Sequence, residues 1–344
     1  MKFHLSINLE RMDENVSMTE VRDHTLEMVQ MADKAGFELV WAAEHHALEM
    51  TIAPNPFQLM TWWATHTQNI RLGAGVVNAA YWHPINLAGE AAMTDLISGG
   101  RVDLGIGSGA YQREFDRMHP GLDQKEGYKY LQEMLPLVKK LWQGDVTHNG
   151  EFWQFPAATS CPKPMQDEVP LWVAARAPVT FDYAVQHNCN IMSWPLTMPF
   201  SEAEAYRQRL DEAIVKSDTD FTGKWALMRH TAVYKTNEDK QAAIDAVRSV
   251  LAMFGNLMMQ SGEVVNGFPS KVPLESLEGN VRVDPEMLAQ NLAFGTPEEV
   301  VAKLKQYEAL GVDAFIYYAS MGLDRDQQKR SLQYFIEEVM PEFT

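Results

Sequence analysis

The stretch "ELVWAAEHH", residues 38–46, decides the fold assignment. Residues 38–43 form a short, mostly apolar run of the length typical of a buried strand. The run gives way at once to the polar residues Glu44, His45 and His46. It follows a helical stripe closed by Gly36 and made of Val21, Thr25, Met28, Val29 and Ala32. The stretch therefore predicts a strand that follows a helix and ends in a polar cluster.

The same alternation of strand and helix patterns runs along the chain. Helical patterns separate strands predicted at residues 3–9, 38–43, 70–77, 101–109, 170–175, 190–194, 226–234 and 312–318. Such alternation is typical of parallel βα units, and eight of these units close a barrel. We therefore predict an α/β fold, a (β/α)8 TIM barrel that residues 1–344 form as a single domain.

Two stretches do not fit the repeat. Residues 144–170 follow the fourth helix, and residues 255–295 separate strands seven and eight. Loops longer than about 12 to 15 residues are usually functional or disordered. Because active sites of this fold lie among such connections, we predict a lid at about residues 257–295. A surface excursion without a gating role is the alternative.

Composition restricts the partners of the protein. The 344 residues carry a net charge of −17, which disfavours binding to nucleic acid or to an anionic membrane. The N-terminal residues lack the apolar run of a signal peptide or of a membrane span, so we expect a cytoplasmic protein. A reducing compartment would leave Cys161 and Cys189 as thiols.

The two histidines lie where a barrel places its active site. Residues just past the C-terminal end of a barrel strand face the active-site mouth. Neighbouring strand residues point to opposite faces, so His45 and His46 are badly placed to chelate one ion, and we predict no metal site. An imidazole that faces the pocket could exchange protons near neutral pH. A histidine bonded to backbone is an equal alternative for either residue.

Four longer stretches carry a resemblance to a known family. They are "VWAAEHH", "IRLGAGVVNAAYWHP", "DLISGGRVDLGIGSGAYQREF" and "WVAARAPVTFDYAV". Together and in this order they resemble the bacterial luciferase-like monooxygenases over nearly the whole chain. The resemblance implies a luciferase-like barrel that binds reduced FMN (FMNH2) and reacts it with O2. It also implies a separate NAD(P)H-dependent flavin reductase, because "GIGSGAY" lacks the third spaced glycine of a nicotinamide fingerprint. We expect a homodimer.

The resemblance also assigns residues near the flavin ring. His45 matches the catalytic histidine of the family, which would move a proton or donate a hydrogen bond as reduced flavin reacts with oxygen. His46 is expected to be structural, and Glu44 to orient a neighbour or to form an ordinary salt bridge. Gly75 and Val76 match the position of a non-prolyl cis peptide that supports the isoalloxazine ring. The alternative for "GAG" is that it allows tight packing of strand and helix.

The phosphate end departs from the luciferase pattern. Ser108 stands where luciferase has an arginine, and Arg176 after strand five is a candidate replacement. An arginine beside a helix that Pro178 opens would form a competent phosphate cradle. Ser108, Gly109 and Tyr111 would line the same end. Arg176 could instead pair with a carboxylate of the core.

Substrate contacts are expected from strand ends that face the flavin. Arg229 and His230 could clamp a carboxylate, although strand alternation lets only one of them face inward. Trp82 and Trp194 could stack on an aromatic ring, or both could be core residues. Several stretches are similar to the branch of the family that opens N-heteroaromatic rings such as trigonelline. The candidates are Asn8, Glu10, Asn78, Tyr81, Trp82, Trp194, Arg229 and His230.

The resemblance therefore implies the oxygenase component of a two-component, FMNH2-dependent monooxygenase that acts on a small organic substrate, and an N-heteroaromatic acid is the candidate. Three alternatives belong to other classes. A deazaflavin-dependent oxidoreductase would use the same barrel. A metal-dependent barrel hydrolase would need bound zinc or manganese. A non-catalytic flavin-binding protein would keep the phosphate site without turnover.

Overall fold

A computed structural model describes residues 1–259 and 262–343 of the chain. The eight strands predicted from the sequence lie close to their predicted bounds, and the largest difference is that β1 ends at Ser6 rather than at residue 9. The strands are β1 (Lys2–Ser6), β2 (Leu39–Ala42), β3 (Arg71–Asn78), β4 (Val102–Gly107), β5 (Val146–Asn149), β6 (Gln154–Ala158), β7 (Leu171–Ala174), β8 (Asn190–Ser193), β9 (Trp225–Val233), β10 (Val264–Val265), β11 (Phe268–Pro269), β12 (Ala293–Gly295) and β13 (Ala314–Tyr318).

Eight of these strands pair in parallel and close on themselves. Their order around the ring is β1, β2, β3, β4, β7, β8, β9 and β13, and β13 pairs with β1 to complete it. Leu5 of β1, for example, lies opposite Val40 of β2 on one side and Tyr317 of β13 on the other. The closed ring confirms the predicted (β/α)8 TIM barrel.

Helices surround the ring, and local sequence explains where several of them begin and end. Pro56, Pro84 and Pro178 each open a helix, where the fixed φ of proline suits the first turn. Gly36 and Gly99 each end one with a left-handed φ, of 83° and 73°. The helices are α1 (Met18–Ala35), α2 (Pro56–Ala64), α3 (Pro84–Ser98), α4 (Gln112–Met118), α5 (Gly127–Gln143), α6 (Pro178–Gln186), α7 (Phe200–Lys216), α8 (Asn237–Met259), α9 (Pro285–Asn291), α10 (Pro297–Ala309) and α11 (Arg325–Tyr334). None of the described helices is both long and apolar enough to cross a membrane.

Each barrel strand has an inner and an outer face, because successive side chains point in opposite directions. The inner faces meet in a buried cluster that contains Leu39, Trp41, Trp172, Ala226, Ala314 and Ile316. The outer faces pack against the helices in a larger core that contains Leu5, Val40, Leu227, Phe315 and Tyr317. This alternation decides which residues reach the centre of the barrel at its C-terminal end.

Glycines in β3 and β4 allow the interior to pack. A Cβ on Gly73 would lie 2.3 Å from Cε3 of Trp41, and one on Gly105 would lie 2.4 Å from the carbonyl oxygen of Ala74. The glycines of "GAG" and "GIG" therefore make room for neighbouring strands, whereas the packing interpretation expected room for a helix. The peptide between Gly75 and Val76 is cis, as the resemblance implied.

The first insertion contains a hairpin that the irregular sequence did not predict. Strands β5 and β6 pair antiparallel beside the helical layer. Glu133 of α5 holds the hairpin, because its carboxylate accepts the backbone N–H groups of Glu151, Phe152 and Trp153 at 3.1 to 3.2 Å. This insertion belongs to the outer shell of the barrel.

The second insertion differs from expectation at both ends. Helix α8 continues to Met259, beyond residue 255, and β12 pairs with β9 outside the ring. Between them, β10 and β11 form a hairpin whose Gly267 carbonyl accepts the backbone N–H of Glu49 at 2.8 Å. The hairpin thus lies against the loop that follows β2. Residues 260 and 261 of the predicted lid lie outside the described residues, and its gating role stays a prediction.

Candidate active site

The alternation of the strands carries a set of polar and aromatic side chains to the C-terminal mouth of the barrel. Residues 39 and 41 of β2 face the barrel interior, and the same alternation, continued past the end of the strand, reaches His45. In the same way, residues 226 and 228 of β9 lead to His230, and residues 314 and 316 of β13 lead to Tyr318. The mouth is therefore lined by residues from distant parts of the chain.

His45 is paired with an acid that the sequence analysis did not single out. The carboxylate oxygens of Glu114, on α4, lie 3.2 and 3.3 Å from Nδ1 of His45. Oε1 of Glu114 also accepts the backbone N–H of His46 at 2.8 Å. An ionised carboxylate only accepts hydrogen bonds, so Nδ1 carries the proton in this pair. The described residues offer Nε2 of His45 no hydrogen bond, which leaves that atom available to a ligand.

Burial and charge act in opposite directions on this pair. Burial lowers the pKa of His45, but the Glu114 carboxylate, helped by Glu44, raises that pKa above its ordinary value. Burial raises the pKa of Glu114, but His45 and the hydrogen bonds to it bring that pKa below its ordinary value. The pair therefore favours an imidazolium beside a carboxylate. A proton stays at Nδ1 while a second one can be exchanged at Nε2.

His46 and Glu44 belong to a scaffold beside the mouth. Nε2 of His46 lies 2.8 Å from Oε1 of Glu44. The Glu44 carboxylate also accepts the backbone N–H of Asn78 at 2.6 Å and the indole N–H of Trp82 at 3.0 Å. Glu44 thus fixes the end of β3 to the end of β2. The Trp82 ring packs against Phe57 with centroids 5.5 Å apart, in agreement with the core alternative rather than with ring stacking on substrate.

Aromatic rings lie beside the histidine pair. The Tyr111 ring is 5.6 Å from His45 and stacks on Phe254 of α8 at 6.0 Å between centroids. Tyr111 is 6% exposed, and burial together with Glu114 raises its pKa, so the phenol stays protonated. Tyr81 packs between His46 and Phe115 and therefore belongs to the scaffold side of the pair.

The candidate phosphate end has an exposed arginine. Arg176 follows β7, and within the described part of the chain it forms no ion pair with a carboxylate, as the core-pairing alternative would require. Helix α6 begins directly after it at Pro178, and the Ala177 cap offers no side-chain oxygen to the first N–H groups. Ser108 and Gly109 directly follow the neighbouring strand β4. Gly109 has φ of 79°, and its carbonyl accepts from Gln124 at 2.6 Å. Within the described residues, the guanidinium of Arg176 therefore remains available at this end, beside a helix N-terminus that carries no side-chain cap.

Arg229 does not reach the mouth, contrary to its assignment as a substrate contact. It lies on the outer face of β9 and is 0% exposed. Its Nε donates to the Tyr307 hydroxyl at 2.9 Å. Its Nη1 donates to the carbonyl oxygens of Leu196 and Met198 at 3.1 and 2.8 Å. Strand alternation sends Arg229 outward and His230 inward, so the guanidinium fixes the loop after β8 and cannot clamp a substrate.

His230 lies in an aromatic cluster on the opposite side of the mouth from Glu44. Its ring centroid is 5.5 Å from that of Trp194 and 4.7 Å from that of Tyr318. Asn8, beyond β1, donates from Nδ2 to the Tyr318 hydroxyl at 3.3 Å. Several buried polar atoms of this cluster have no hydrogen-bond partner in the described protein: Asn8 Oδ1, Trp194 Nε1, His230 Nδ1 and His230 Nε2.

Glu10 lies near this cluster but faces the loop after β13. Both of its carboxylate oxygens accept the backbone N–H of Gly322 at 3.0 Å. Burial raises the pKa of Glu10 to about 7, despite these hydrogen bonds. The described residues contain no group of three or more His, Cys, Asp or Glu side chains that could hold a metal ion.

Comparisons with known proteins agree with this fold. The family model described as luciferase-like monooxygenase matches residues 1–314. The chain belongs to the luciferase-like monooxygenase family. It is 40% identical to the oxygenase component of a flavin-dependent trigonelline monooxygenase from Acinetobacter baylyi, over 100% of this chain and 96% of that protein. It is 26% identical to an F420-dependent glucose-6-phosphate dehydrogenase from Amycolatopsis mediterranei, over 92% of this chain and 93% of that protein.

Two solved structures have the same fold. A monooxygenase from Streptomyces bottropensis superposes with a TM-score of 0.81 at 23% identity, and the match covers 100% of both chains. The oxygenating constituent of 3,6-diketocamphane monooxygenase from Pseudomonas putida, in complex with FMN, superposes with a TM-score of 0.77 at 19% identity. That match covers 100% of this chain and 99% of the other. At these identities the two structures support the fold only.

Proposed function

We propose that this protein is the oxygenase component of a two-component, FMNH2-dependent monooxygenase. The observation that carries the proposal is the His45–Glu114 pair at the mouth of a luciferase-like barrel, with Nε2 of His45 free. A histidine whose pKa is raised by an orienting carboxylate is suited to proton transfer near neutral pH. The 40% identity to a flavin-dependent oxygenase component over the whole chain supports the same conclusion.

FMN fits the residues present at the phosphate end. The exposed guanidinium of Arg176 and the uncapped N-terminus of α6 form a set of donors that matches a phosphate group. Ser108 and Gly109 would line this end, and Gly75 and Val76 would support the ring. When bound, reduced FMN supplies the electrons that activate O2.

The residues of the chain have separate tasks in the proposed reaction. Glu114 fixes the orientation of the His45 ring by holding Nδ1–H, so that Nε2 can donate or accept a proton. Tyr111 and Phe254 form an aromatic wall that excludes water from His45. Water exclusion limits the loss of reduced oxygen as hydrogen peroxide. The lid segment would complete this exclusion.

Partners follow from the same proposal. A separate NAD(P)H-dependent flavin reductase would supply FMNH2, and both proteins would work in the cytoplasm. A homodimer would cover the apolar side chains that α3 exposes, namely Met93, Leu96 and Ile97, which are 46%, 51% and 49% exposed. Light scattering after size-exclusion chromatography would measure the mass of the particle.

The substrate would be a small N-heteroaromatic acid. The name of the 40% identical relative, a trigonelline monooxygenase, supports this class of substrate.

Rapid mixing with defined reductants tests the proposal. The purified protein, loaded anaerobically with FMNH2 and a trigonelline-type substrate, is mixed with ¹⁸O₂. We expect one labelled oxygen atom in the product, and no reaction when reduced deazaflavin replaces FMNH2. Anaerobic oxidation or reduction of the substrate with deazaflavin as the partner would instead favour the deazaflavin-dependent alternative. FMNH2 binding without any effect on its reaction with oxygen would favour a non-catalytic flavin-binding protein.

A further inference from the structure

The cluster of Asn8, Trp194, His230 and Tyr318 leaves polar atoms unpaired where burial makes this costly. Asn8, His230 and Tyr318 are 5%, 1% and 5% exposed. A buried donor or acceptor without a partner destabilises the folded state, because it loses its hydrogen bonds to water and gains none. Native proteins rarely keep such atoms without a role, and here three neighbouring residues keep them together at a barrel mouth.

The donors and acceptors of this cluster are neutral. Burial, together with the charge of Arg229, lowers the pKa of His230 to about 3, so its ring offers one N–H donor and one bare nitrogen at neutral pH. The indole of Trp194 donates, and the free oxygen of Asn8 accepts. Tyr318 already accepts from Asn8 and keeps its own hydroxyl proton for another partner. The guanidinium of Arg229 is engaged on the other face of the strand.

Three aromatic rings define the shape of the ligand. Trp194, His230 and Tyr318 contact one another with ring centroids 4.7 to 5.5 Å apart. Aromatic faces favour a planar ring, and the unpaired donors favour an oxygen-bearing substituent at its edge. The nearby Glu10, with a pKa of about 7, is partly ionised at neutral pH and so disfavours a second negative charge.

The position of the cluster relative to His45 fits a reacting pair. Tyr111 contacts His45 on one side, and its phenol lies near enough to Tyr318 to add to the rise in the pKa of that residue. Tyr111 therefore lies near both His45 and Tyr318, so the surroundings of His45 and of the cluster share this residue.

We propose that Asn8, Trp194, His230 and Tyr318 form the specificity-determining substrate site, and that this site recognises a planar heteroaromatic ring through neutral hydrogen bonds to its oxygen-bearing substituent. The proposal rests on the proposed monooxygenase function and adds to it the way in which the substrate is chosen. Recognition without a cationic side chain implies that the site does not require a carboxylate. An amide of the same shape should bind about as well as the acid.

Equilibrium binding of three probes tests this site without turnover. Pyridine-3-carboxylate, its amide and the N-methylated acid are titrated calorimetrically into the protein loaded with oxidised FMN. The variants Tyr318→Phe and Trp194→Phe each remove one donor and keep a ring. We expect each to weaken binding about threefold to tenfold, the range for one neutral hydrogen bond. Tyr317→Phe is the matched control, because its hydroxyl lies 2.6 Å from Ser331 on the outer face, and it should leave probe binding unchanged.

The results separate this proposal from the proposed function. The proposed site would be wrong if no probe bound the wild-type protein. It would also be wrong if Tyr318→Phe and Trp194→Phe both bound the probes as tightly as the wild type does. A loss of FMN affinity in place of probe affinity, or binding of the acid more than tenfold tighter than the amide, would overturn the site as well. Probe binding as expected, without incorporation of labelled oxygen, would leave the site in place and reject the monooxygenase reaction instead.

Discussion

The two sides of the barrel mouth differ in how their polar groups are satisfied. On the side of β2 and β3, Glu44 accepts hydrogen bonds from the backbone of Asn78 and from Trp82, and Glu114 holds His45 and the backbone of His46, while the Tyr81 hydroxyl is an unpaired buried atom of this side among the described residues. On the side of β8, β9 and β13, buried atoms of Trp194 and His230 have no partner in the described protein. The first side is built to hold a catalytic ring in place, and the second to receive a ligand.

The largest effect that separates site from scaffold should come from the histidine pair. His45→Ala removes the group with a free Nε2, so we expect product formation to fall by about 10² to 10⁴, the usual contribution of a general acid or base. Fold and FMN affinity should persist. His46→Ala, the control, breaks the contact with Glu44 and should lower the melting temperature more than the turnover number. Normal turnover in His45→Ala, or a folded but inactive His46→Ala, would show that His46 is the catalytic histidine and His45 the structural one.

The second effect concerns the phosphate end. Arg176→Ala removes an exposed guanidinium that has no carboxylate partner among the described residues. We expect affinity for FMNH2 to fall by about 1.5 to 3 kcal/mol, the range for hydrogen bonds to a charged group. Anaerobic titration measures this loss. Lys216→Ala removes a surface cation that pairs with Asp182 and should leave the affinity unchanged. Equal affinities of Arg176→Ala and the wild type would place the phosphate elsewhere.

The third effect is a shift of the pH profile. Glu114→Gln keeps an acceptor for Nδ1 but removes the charge that raises the pKa of His45, so the profile limb governed by His45 should move to lower pH. Glu133→Gln, which alters the remote Glu133–His148 pair, should not move it. An unchanged limb in Glu114→Gln would assign the profile to another group.

The same pair makes a prediction about stability. The raised pKa of His45 stabilises the fold at pH values below its unfolded pKa, and this contribution is lost as pH rises through the folded pKa. The lowered pKa of Glu114 stabilises the fold above its unfolded pKa, and this is lost as pH falls. The wild type should therefore exceed Glu114→Gln in melting temperature most between about pH 4.5 and 6.5. A difference that grows toward pH 9 would contradict the assignment.

The smallest effect is expected at the predicted lid. The hairpin of β10 and β11 is held by the Gly267 contact with Glu49, and Arg113 donates to the Gly262 carbonyl at 2.6 Å. Replacing residues 264–269 by a short glycine linker should raise hydrogen peroxide released per FMNH2 consumed, because water gains access to the site. Unchanged coupling of oxygen to product would reject the lid.

Local patterns predicted the fold better than they predicted the site. Apolar periodicity located all eight barrel strands, because each strand carries its own pattern. The Glu114 partner of His45 could not be found this way, since the two residues are 69 positions apart and meet only when the barrel closes. Tyr318 was also missed, because in the sequence it is one of several mostly apolar residues of the strand predicted at residues 312–318. Arg229 was misplaced because its outward direction depends on strand register, which the sequence leaves open between neighbours.

A crystal structure of the wild-type protein with FMN and a trigonelline-type ligand tests the division of the mouth most directly. We expect the FMN phosphate at Arg176 and the flavin ring beside Gly75 and Val76. The ligand should contact Trp194 and His230. Nε2 of His45 should lie within hydrogen-bond distance of the flavin or of the ligand. Hydrogen bonds from the ligand to Tyr318 or Trp194 would complete the unpaired side. A ligand bound elsewhere, with those atoms still unpaired or filled by water, would contradict the division into a holding side and a receiving side.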